Sequence, residues 1–210
     1  MPVYQTFSIE ANTKVYVWKI TESLNELFQS VVLKDVSLAR VEKMKAESHQ
    51  KGFLAVRKLL EIAGYNDFDL YYDEFGKPHL KDEKHISISH SNDFSVIAIS
   101  DYNLGIDLEI IKDKTLRLAP RYMDVTHLEN LSTVDALEKS TIIWGIKESI
   151  FKIKNEPGIS FKDHIFENKF DCNDGKCIAE LRFENQVALF DIQYQRVENY
   201  VLVLAFENAK

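Results

Sequence analysis

The segment LGIDLEI, at residues 104–110, alternates apolar residues with Gly105 and two acids, Asp107 and Glu109. A period of two is typical of a β-strand, whose side chains point to alternate faces. The carboxyl groups of Asp107 and Glu109 should therefore share one face, about 7 Å apart along the strand. Two like charges on an otherwise apolar strand predict either a solvated face or a bound cation.

A second group of charged residues lies in the segment WGIKESIFKIK, at residues 144–154. Trp144, Glu148 and Lys152 recur every four residues, so on a helix they would share one face. The simplest interpretation is a solvated Glu–Lys pair. A tryptophan on the same stripe favours a face that turns partly inward, because its large ring is costly to expose to water.

Asp107, Glu109 and Glu148 together form a candidate site that offers only oxygen ligands. Carboxylates without histidine or cysteine suit a hard cation such as Mg²⁺, which also keeps water and substrate phosphate oxygens as ligands. Phosphates need positive or hydrogen-bonding partners, and the candidates for that role are Lys77, Ser89, His90, Ser91 and Lys152.

Four motifs in this order, FGKPHL, ISISHS, GIDLE and WGIKESIFK, resemble the motif set of the 4′-phosphopantetheinyl transferases. GIDLE alone is weakly specific, but the combination with WxxKExxxK, SHS and GKP is strongly specific. The motifs lie within residues 75–154. Chain length and element order also resemble the monomeric, two-lobed type represented by the surfactin-synthetase activator.

The resemblance implies transfer of the 4′-phosphopantetheine group from coenzyme A to a serine of an apo acyl or peptidyl carrier protein. Adenosine 3′,5′-bisphosphate would leave. Mg²⁺, with Mn²⁺ as an alternative, would be held by Asp107, Glu109 and Glu148. Glu148 would deprotonate the serine, directly or through a metal-bound water, and Lys152 would offset phosphate charge. The residues that match coenzyme A-binding positions of the family are Lys77, Pro78, Ser89, His90 and Lys152.

Two parts of the chain depart from the family pattern. Family members often carry an Arg-Phe-Phe segment followed by a glutamate near the metal, whereas RYMDVTHLE places His127 there. We expect His127 to lie near the metal but not on it, because Mg²⁺ prefers oxygen ligands. The first helical region should supply cations for the 3′-phosphate, and its candidates are Arg40, Lys43, Lys45, Lys51 and Arg57.

Chain length, composition and net charge argue against some classes of function. A chain of 210 residues that is 45% hydrophobic can bury a sizeable core, and its net charge of −7 argues against nucleic-acid binding driven by overall charge. No apolar run is long enough to span a bilayer, and the N-terminal residues lack the layout of a signal peptide. The sequence predicts a cytoplasmic monomer without nucleic-acid or membrane partners.

A basic segment, KDKTLRLAPR, directly follows the acidic strand. Its four cations, set against a single acid, are Lys112, Lys114, Arg117 and Arg121. The segment is either an ordinary solvated helix start or a docking surface for an acidic carrier protein. Its position next to GIDLE favours docking, because an acidic chain needs a local basic patch to bind an acidic partner.

Periodicity and turn residues place these motifs on secondary structure. Strands are predicted at 3–9 and 14–20, with a turn at Ala11 and Asn12. Ser23 and Glu26 form a capping box that opens a short helix. One helix is predicted over 38–63, followed by short strands on either side of Gly76-Lys77-Pro78. Three more strands are predicted at HISISH, FSVIAIS and LGIDLEI.

In the second half, short helices are predicted at 116–123 and 126–131, and a long helix at 133–154. Four strands are predicted near 164–170, 177–183, 186–194 and 199–206. The fold class is therefore α+β. The elements predict two similar-sized halves, residues 1–102 and 103–210, with the metal motifs in the second half. The resemblance further implies that the halves are related by pseudo-two-fold symmetry, with the active site in a cleft between them.

Two other functions remain compatible with the sequence. One is a catalytically silent relative that binds coenzyme A or a partner protein. The other is a structural α+β protein whose charged residues are merely solvated. The intact set of three acids with Lys152 favours the transferase, but the motifs do not distinguish carriers of fatty acid, polyketide or peptide synthases.

Overall fold

The computed structural model describes residues 3–9 and 12–208, and the chain divides into two compact units, Met1–Tyr102 and Asn103–Lys210. Each unit combines helices with antiparallel sheet, which confirms the α+β class. Ala11, half of the predicted first turn, lies outside the described residues. No described helix has both the length and the apolar character needed to cross a membrane.

The described residues of the first unit, 3–9 and 12–102, form six strands and three α-helices. The strands are β1 (Gln5–Ile9), β2 (Thr13–Lys19), β3 (Leu70–Tyr72), β4 (Pro78–Leu80), β5 (His85–Ser91) and β6 (Phe94–Ser100). The helices are α1 (Leu24–Gln29), α2 (Asp35–Glu42) and α3 (Glu47–Ile62). A four-stranded sheet has the order β1-β2-β6-β5, and β3 pairs with β4. The predicted capping box is confirmed at the start of α1. The Ser23 side chain accepts a hydrogen bond from the Glu26 amide, and the Glu26 side chain accepts one from the Ser23 amide.

The prediction of one continuous helix over residues 38–63 is wrong. The chain leaves the helical conformation after Glu42 and re-enters it after Ala46, whose backbone is extended. Asp67 fixes the start of α2, since it accepts hydrogen bonds from the Lys34 amide and the Ser37 hydroxyl. This contact comes from a residue beyond α3, so helical periodicity alone could not locate the start of α2.

The second unit, described over residues 103–208, contains five strands and three α-helices. The strands are β7 (Leu104–Ile110), β8 (Ile165–Glu167), β9 (Lys176–Phe183), β10 (Gln186–Val197) and β11 (Tyr200–Glu207). The helices are α4 (Asp113–Leu118), α5 (Thr133–Lys154) and α6 (Phe161–His164). All pairings are antiparallel, in the order β7-β11-β10-β9-β8.

The long helix α5 has the predicted bounds. Ser132 caps its first turn by accepting a hydrogen bond from the Asp135 amide, and Asn155 ends it in the left-handed conformation. The helices predicted at 116–123 and 126–131 are shorter than expected. Pro120 lies in a 3₁₀ turn after α4, and a second 3₁₀ helix covers Val125–Leu128. Proline cannot donate the helical hydrogen bond, which accounts for the early end of α4.

The core of the second unit lies between α5 and the sheet. Isoleucines at helical spacing on α5 pack against apolar residues of β10 and β11, and the largest contributors are Ile142, Ile146, Ile150, Phe190, Ile192 and Val203. Burying one such side chain contributes roughly 1.5–3 kcal/mol. The helix is therefore firmly seated on the sheet that carries Asp107 and Glu109.

Candidate active site

Two glycines allow α5 to approach the sheet at the position of the acidic strand. A Cβ atom on Gly105 would lie 1.9 Å from the Ser149 carbonyl oxygen, and one on Gly145 would lie 2.6 Å from Cγ2 of Val203. Any larger residue would push the helix away, because atoms cannot approach so closely. The glycine of GIDLE thus has a packing role, which is to let the helix with Glu148 lie against the strand with Asp107.

Asp107 and Lys152 form the centre of the candidate site. Asp107 is only 4% exposed. The Lys152 ammonium donates to Oδ1 of Asp107 at 2.7 Å and to the Ile106 carbonyl at 2.8 Å. The lysine therefore crosses from helix to strand and provides the positive charge next to the buried carboxylate.

Glu109 and Trp144 extend the site along the strand. Glu109 is partly buried, and the Trp144 indole donates a hydrogen bond to it. The tryptophan ring packs edge-on against Tyr122, with centroids 5.0 Å apart. The helix face with Trp144, Glu148 and Lys152 thus turns toward the strand rather than toward open solvent.

Burial and mutual repulsion shift the ionisation of the glutamates. Burial, followed by the negative charge of Asp107, raises the pKa of Glu148 to about 7. The same two causes raise the pKa of Glu109, while Lys112, Trp144 and Lys152 act in the opposite direction. Without a further cation, this site holds more carboxylates than its positive charge can neutralise.

The raised pKa of Glu148 predicts how stability depends on pH when no metal is added. A carboxyl with a higher pKa in the folded than in the unfolded protein makes the fold less stable as pH rises through that interval. For Glu148 the interval runs from 4.5 to about 7, and the effect is at most about 3 kcal/mol.

We expect the Tm of Glu148→Gln to rise relative to that of the wild type as pH increases from 5 to 8 in EDTA. Thermal denaturation measures this, with exposed Glu156→Gln as control. Parallel pH profiles for Glu148→Gln and the wild type would contradict it.

The donor set fits a hard cation, although the side chains are not yet arranged around one. All three candidate ligands offer carboxylate oxygens, and their repulsion is the kind that a divalent cation relieves. However, no group of three or more His, Cys, Asp or Glu side chains within residues 3–9 and 12–208 could hold a metal ion as placed. Metal binding would therefore require movement of these side chains relative to Lys152.

The predicted coenzyme A-binding residues of the first unit occupy two places. Lys77 lies in the turn before β4, where its amide donates to Asp73 at 2.8 Å, and Pro78 begins β4. Ser89 and His90 lie near the end of β5. The His90 ring lies against α3, where a Cβ atom on Gly52 would come within 3.1 Å of its Cγ.

Among the candidates for the 3′-phosphate, Arg57 does not fit. Its side chain is buried, and its Nε donates to Asp67 at 2.9 Å. Removing it from that pair would leave an uncompensated buried charge. Arg40, Lys43 and Lys45 are exposed, and the partly buried Lys51 pairs with Glu47 at 3.2 Å. These four remain compatible with the prediction.

The basic segment lies beside Glu109. Lys112 precedes α4, Lys114 and Arg117 lie on it, Arg121 follows it, and all four are exposed. Lys112 and Lys114 line a small cavity of about 120 Å³ together with Glu109, Leu118 and Trp144. The structure thus places two of the predicted docking cations next to one of the predicted metal ligands.

A second group of charges was not predicted from the sequence. Nζ of Lys147 lies 2.9 Å from Glu167, and Nδ1 of His127 lies 3.1 Å from the other oxygen of that carboxylate. His127 therefore has Glu167 as its ionic partner. The available signal was a lysine between the apolar positions Ile146 and Ile150 of α5, which indicates a buried ammonium that needs a partner.

Comparison with known proteins finds several similar chains. No protein-family model matches the chain. Among curated proteins, the 4′-phosphopantetheinyl transferase Sfp of Bacillus subtilis (strain 168) is 30% identical over 121 residues, which cover 55% of this chain and 53% of Sfp. The 4′-phosphopantetheinyl transferase gsp of Aneurinibacillus migulanus is 29% identical over 107 residues, which cover 48% of this chain and 45% of gsp.

A further relative is matched over a longer stretch. The 4′-phosphopantetheinyl transferase ffp of Bacillus subtilis is 25% identical over 183 residues, which cover 80% of this chain and 81% of ffp. The chain thus spans about half the length of gsp and Sfp and about four fifths of ffp. The chain is thus similar, at 25–30% identity, to several curated 4′-phosphopantetheinyl transferases.

Proposed function

We propose that this protein is a Mg²⁺-dependent 4′-phosphopantetheinyl transferase. It moves the 4′-phosphopantetheine group of coenzyme A to a serine of an apo acyl or peptidyl carrier protein and releases adenosine 3′,5′-bisphosphate. The expectation of a cytoplasmic monomer belongs to this proposal. The observation that supports it best is the group formed by Asp107, Glu109, Glu148 and Lys152, which come from two motifs and meet between β7 and α5, with Asp107 buried and the others partly buried.

Asp107, Glu109 and Glu148 are the residues that would hold the metal. When bound, Mg²⁺ would neutralise the carboxylates and the diphosphate of coenzyme A. To hold the metal, Asp107 would lose part of its contact with the Lys152 ammonium, which lies 2.7 Å away in this structure. Lys152 would then be available to a phosphate oxygen of the substrate.

The chemical step needs a proton acceptor and charge neutralisation, and this chain offers both. The serine oxygen forms a bond to the β-phosphorus, and the bond from that phosphorus to the bridging oxygen breaks. Glu148 takes the serine proton, directly or through a water molecule. Lys152 offsets the charge that builds on the bridging oxygen as adenosine 3′,5′-bisphosphate leaves.

Residues of the first unit would bind coenzyme A. Lys77 and His90 would contact its phosphates, with Pro78 and Ser89 shaping the same subsite, as the resemblance implies. The cations that remain for the 3′-phosphate are Arg40, Lys43, Lys45 and Lys51. Because Arg57 is bonded to Asp67, we assign it a structural role.

Carrier docking would use the exposed cations of the segment after β7. We expect the double reversal Lys114→Glu, Arg117→Glu to raise the KM for carrier protein and leave the KM for coenzyme A nearly unchanged. The wild-type carrier KM should also rise with salt, because exposed charges are screened beyond about 10 Å at 0.1 M. Steady-state kinetics with each substrate varied in turn measures both effects.

The control for docking is a reversal of equal charge on another surface of the same unit. Lys169 and Lys176 are exposed and lie outside the segment, so Lys169→Glu, Lys176→Glu should leave the carrier KM unchanged. If the carrier KM ignores both salt and the Lys114/Arg117 reversal, the segment has no role in recognition.

The proposed function is tested by labelling purified apo carriers with a fluorescent coenzyme A. The panel should contain acyl carriers of fatty acid and polyketide synthases and peptidyl carriers, each with its acceptor serine replaced by alanine as control. Mg²⁺-dependent labelling of at least one carrier at the serine is expected. Saturable coenzyme A binding by calorimetry without labelling would instead indicate the silent relative, and no binding would indicate a structural protein.

A further inference from the structure

Lys147 occupies an unusual position for a lysine, since it lies on the buried side of α5. It is 2% exposed, next in sequence to Glu148. Its ammonium contacts the carbonyl oxygens of Phe161 and Ile165 and the carboxylate of Glu167. These three contacts tie α5 to α6 and β8 on the side of the helix away from Asp107.

Glu167 extends this connection to a third element. Its side chain is 2% exposed, and its second oxygen lies 3.1 Å from Nδ1 of His127 in the 3₁₀ helix Val125–Leu128. His127 is 13% exposed at its side chain and borders a cavity of about 380 Å³ that Glu167 and Lys147 also line. The buried carboxylate of Glu167 therefore joins three elements, which are α5, the edge strand β8 and the 3₁₀ helix after α4.

The contacts of Glu167 with Lys147 and His127 are close but are not well-directed hydrogen bonds. Neither Nδ1 of His127 nor the Glu167 oxygen facing Lys147 has a well-directed hydrogen bond among the described residues, although both lie at ion-pair distance. Removing the carboxylate would leave the buried ammonium without its counter-charge, which is strongly unfavourable. The Lys147 side chain would then have to move, and the helix that carries it would have to adjust.

Such an adjustment would reach the proposed active site. The glycine contacts at Gly105 and Gly145 fix how closely α5 approaches the sheet. Together with the core packing, the contacts of Lys147 on another flank of the helix constrain its rotation about its own axis. Rotation changes the direction of Glu148 and Lys152, and misplacement of a catalytic group by about 1 Å can cost on the order of 10²-fold in rate.

We propose that Glu167 is a positioning residue, which holds Lys147 and His127 so that α5 presents Glu148 and Lys152 to Asp107. The inference rests on the proposed function. It also bears on the departure at position 127, where the family resemblance leads us to expect a glutamate. In this chain a carboxylate does contact position 127, but it is supplied by Glu167 of β8.

The test compares turnover with stability in Glu167→Gln, which keeps the shape of the side chain and removes its charge. We expect kcat per folded enzyme to fall on the order of tenfold, with the KM for coenzyme A changed less than twofold, well below the Tm and at saturating Mg²⁺. Exposed Glu184→Gln is the matched control. The double variant His127→Glu, Glu167→Gln returns a carboxylate to the same group from the other side, and it should recover most of kcat.

A purely structural role gives a different result. If Glu167→Gln lowers the Tm but keeps wild-type kcat, or if the double variant recovers the Tm without kcat, the inference is overturned. If Glu167→Gln does not fold, His127→Ala is used instead, because it keeps the Lys147–Glu167 pair. This variant must lower kcat at unchanged KM, and a His127→Ala enzyme with the kcat of the wild type would overturn the inference. If the wild type itself transfers nothing in the same assay, the proposed function fails, and the inference fails with it.

Discussion

Asp107→Ala is expected to lose transfer by on the order of 10³-fold or more, while coenzyme A binding falls much less. Asp107 is the most buried of the three carboxylates and the one bonded to Lys152. Its loss removes a metal ligand and frees the lysine from its fixed direction. Single-turnover rates at saturating Mg²⁺ and calorimetric titration with coenzyme A separate these two effects.

The control for this substitution is Asp191→Ala, an exposed aspartate on β10 of the same unit. It should leave both rate and binding unchanged. An Asp107→Ala enzyme with wild-type turnover at saturating Mg²⁺ would show that the three carboxylates are not the metal ligands.

Lys152→Met should lower kcat by on the order of 10²-fold, as expected for a group that meets charge developing in the transition state. Methionine keeps the apolar stem and removes the ammonium, which donates to Asp107 at 2.7 Å. Lys152→Met should also lower the stability of the fold, because the carboxylates lose their nearest cation. Steady-state kinetics and thermal denaturation should therefore be measured together.

Lys154→Met is the matched control, since Lys154 lies two residues further along the same helix and pairs with Glu207 rather than with the candidate site. It should lower the Tm without lowering kcat. Should Lys152→Met behave in the same way, the lysine is structural, and the phosphate charge must be neutralised by other residues.

Local sequence signals predicted most of the elements that position the site. The alternation in residues 104–110 placed Asp107 and Glu109 on one face, and four-residue spacing placed Trp144, Glu148 and Lys152 on one face of α5. Both predictions depend only on the repeat of a strand or a helix. The structure adds that the two faces meet, which depends on Gly105 and Gly145 and on the core beneath them.

Contacts between distant parts of the chain were not predictable in this way. The start of α2 is fixed by Asp67, and the buried Arg57 pairs with the same carboxylate. The partnership of His127 with Glu167 joins residues from a 3₁₀ helix and from a strand beyond α5. Each depends on a buried carboxylate that contacts a residue distant in sequence, for which a single sequence carries no periodic signal.

Intact mass spectrometry of a purified apo carrier tests the central proposal most directly. The carrier is incubated with coenzyme A and the wild-type protein, with Mg²⁺ or with EDTA, and in parallel with Asp107→Ala. We predict a mass increase of one phosphopantetheine group at the acceptor serine, with equimolar adenosine 3′,5′-bisphosphate, only with the wild type and Mg²⁺. An unmodified mass for every carrier of the panel, or equal modification by Asp107→Ala or in EDTA, would contradict the proposal.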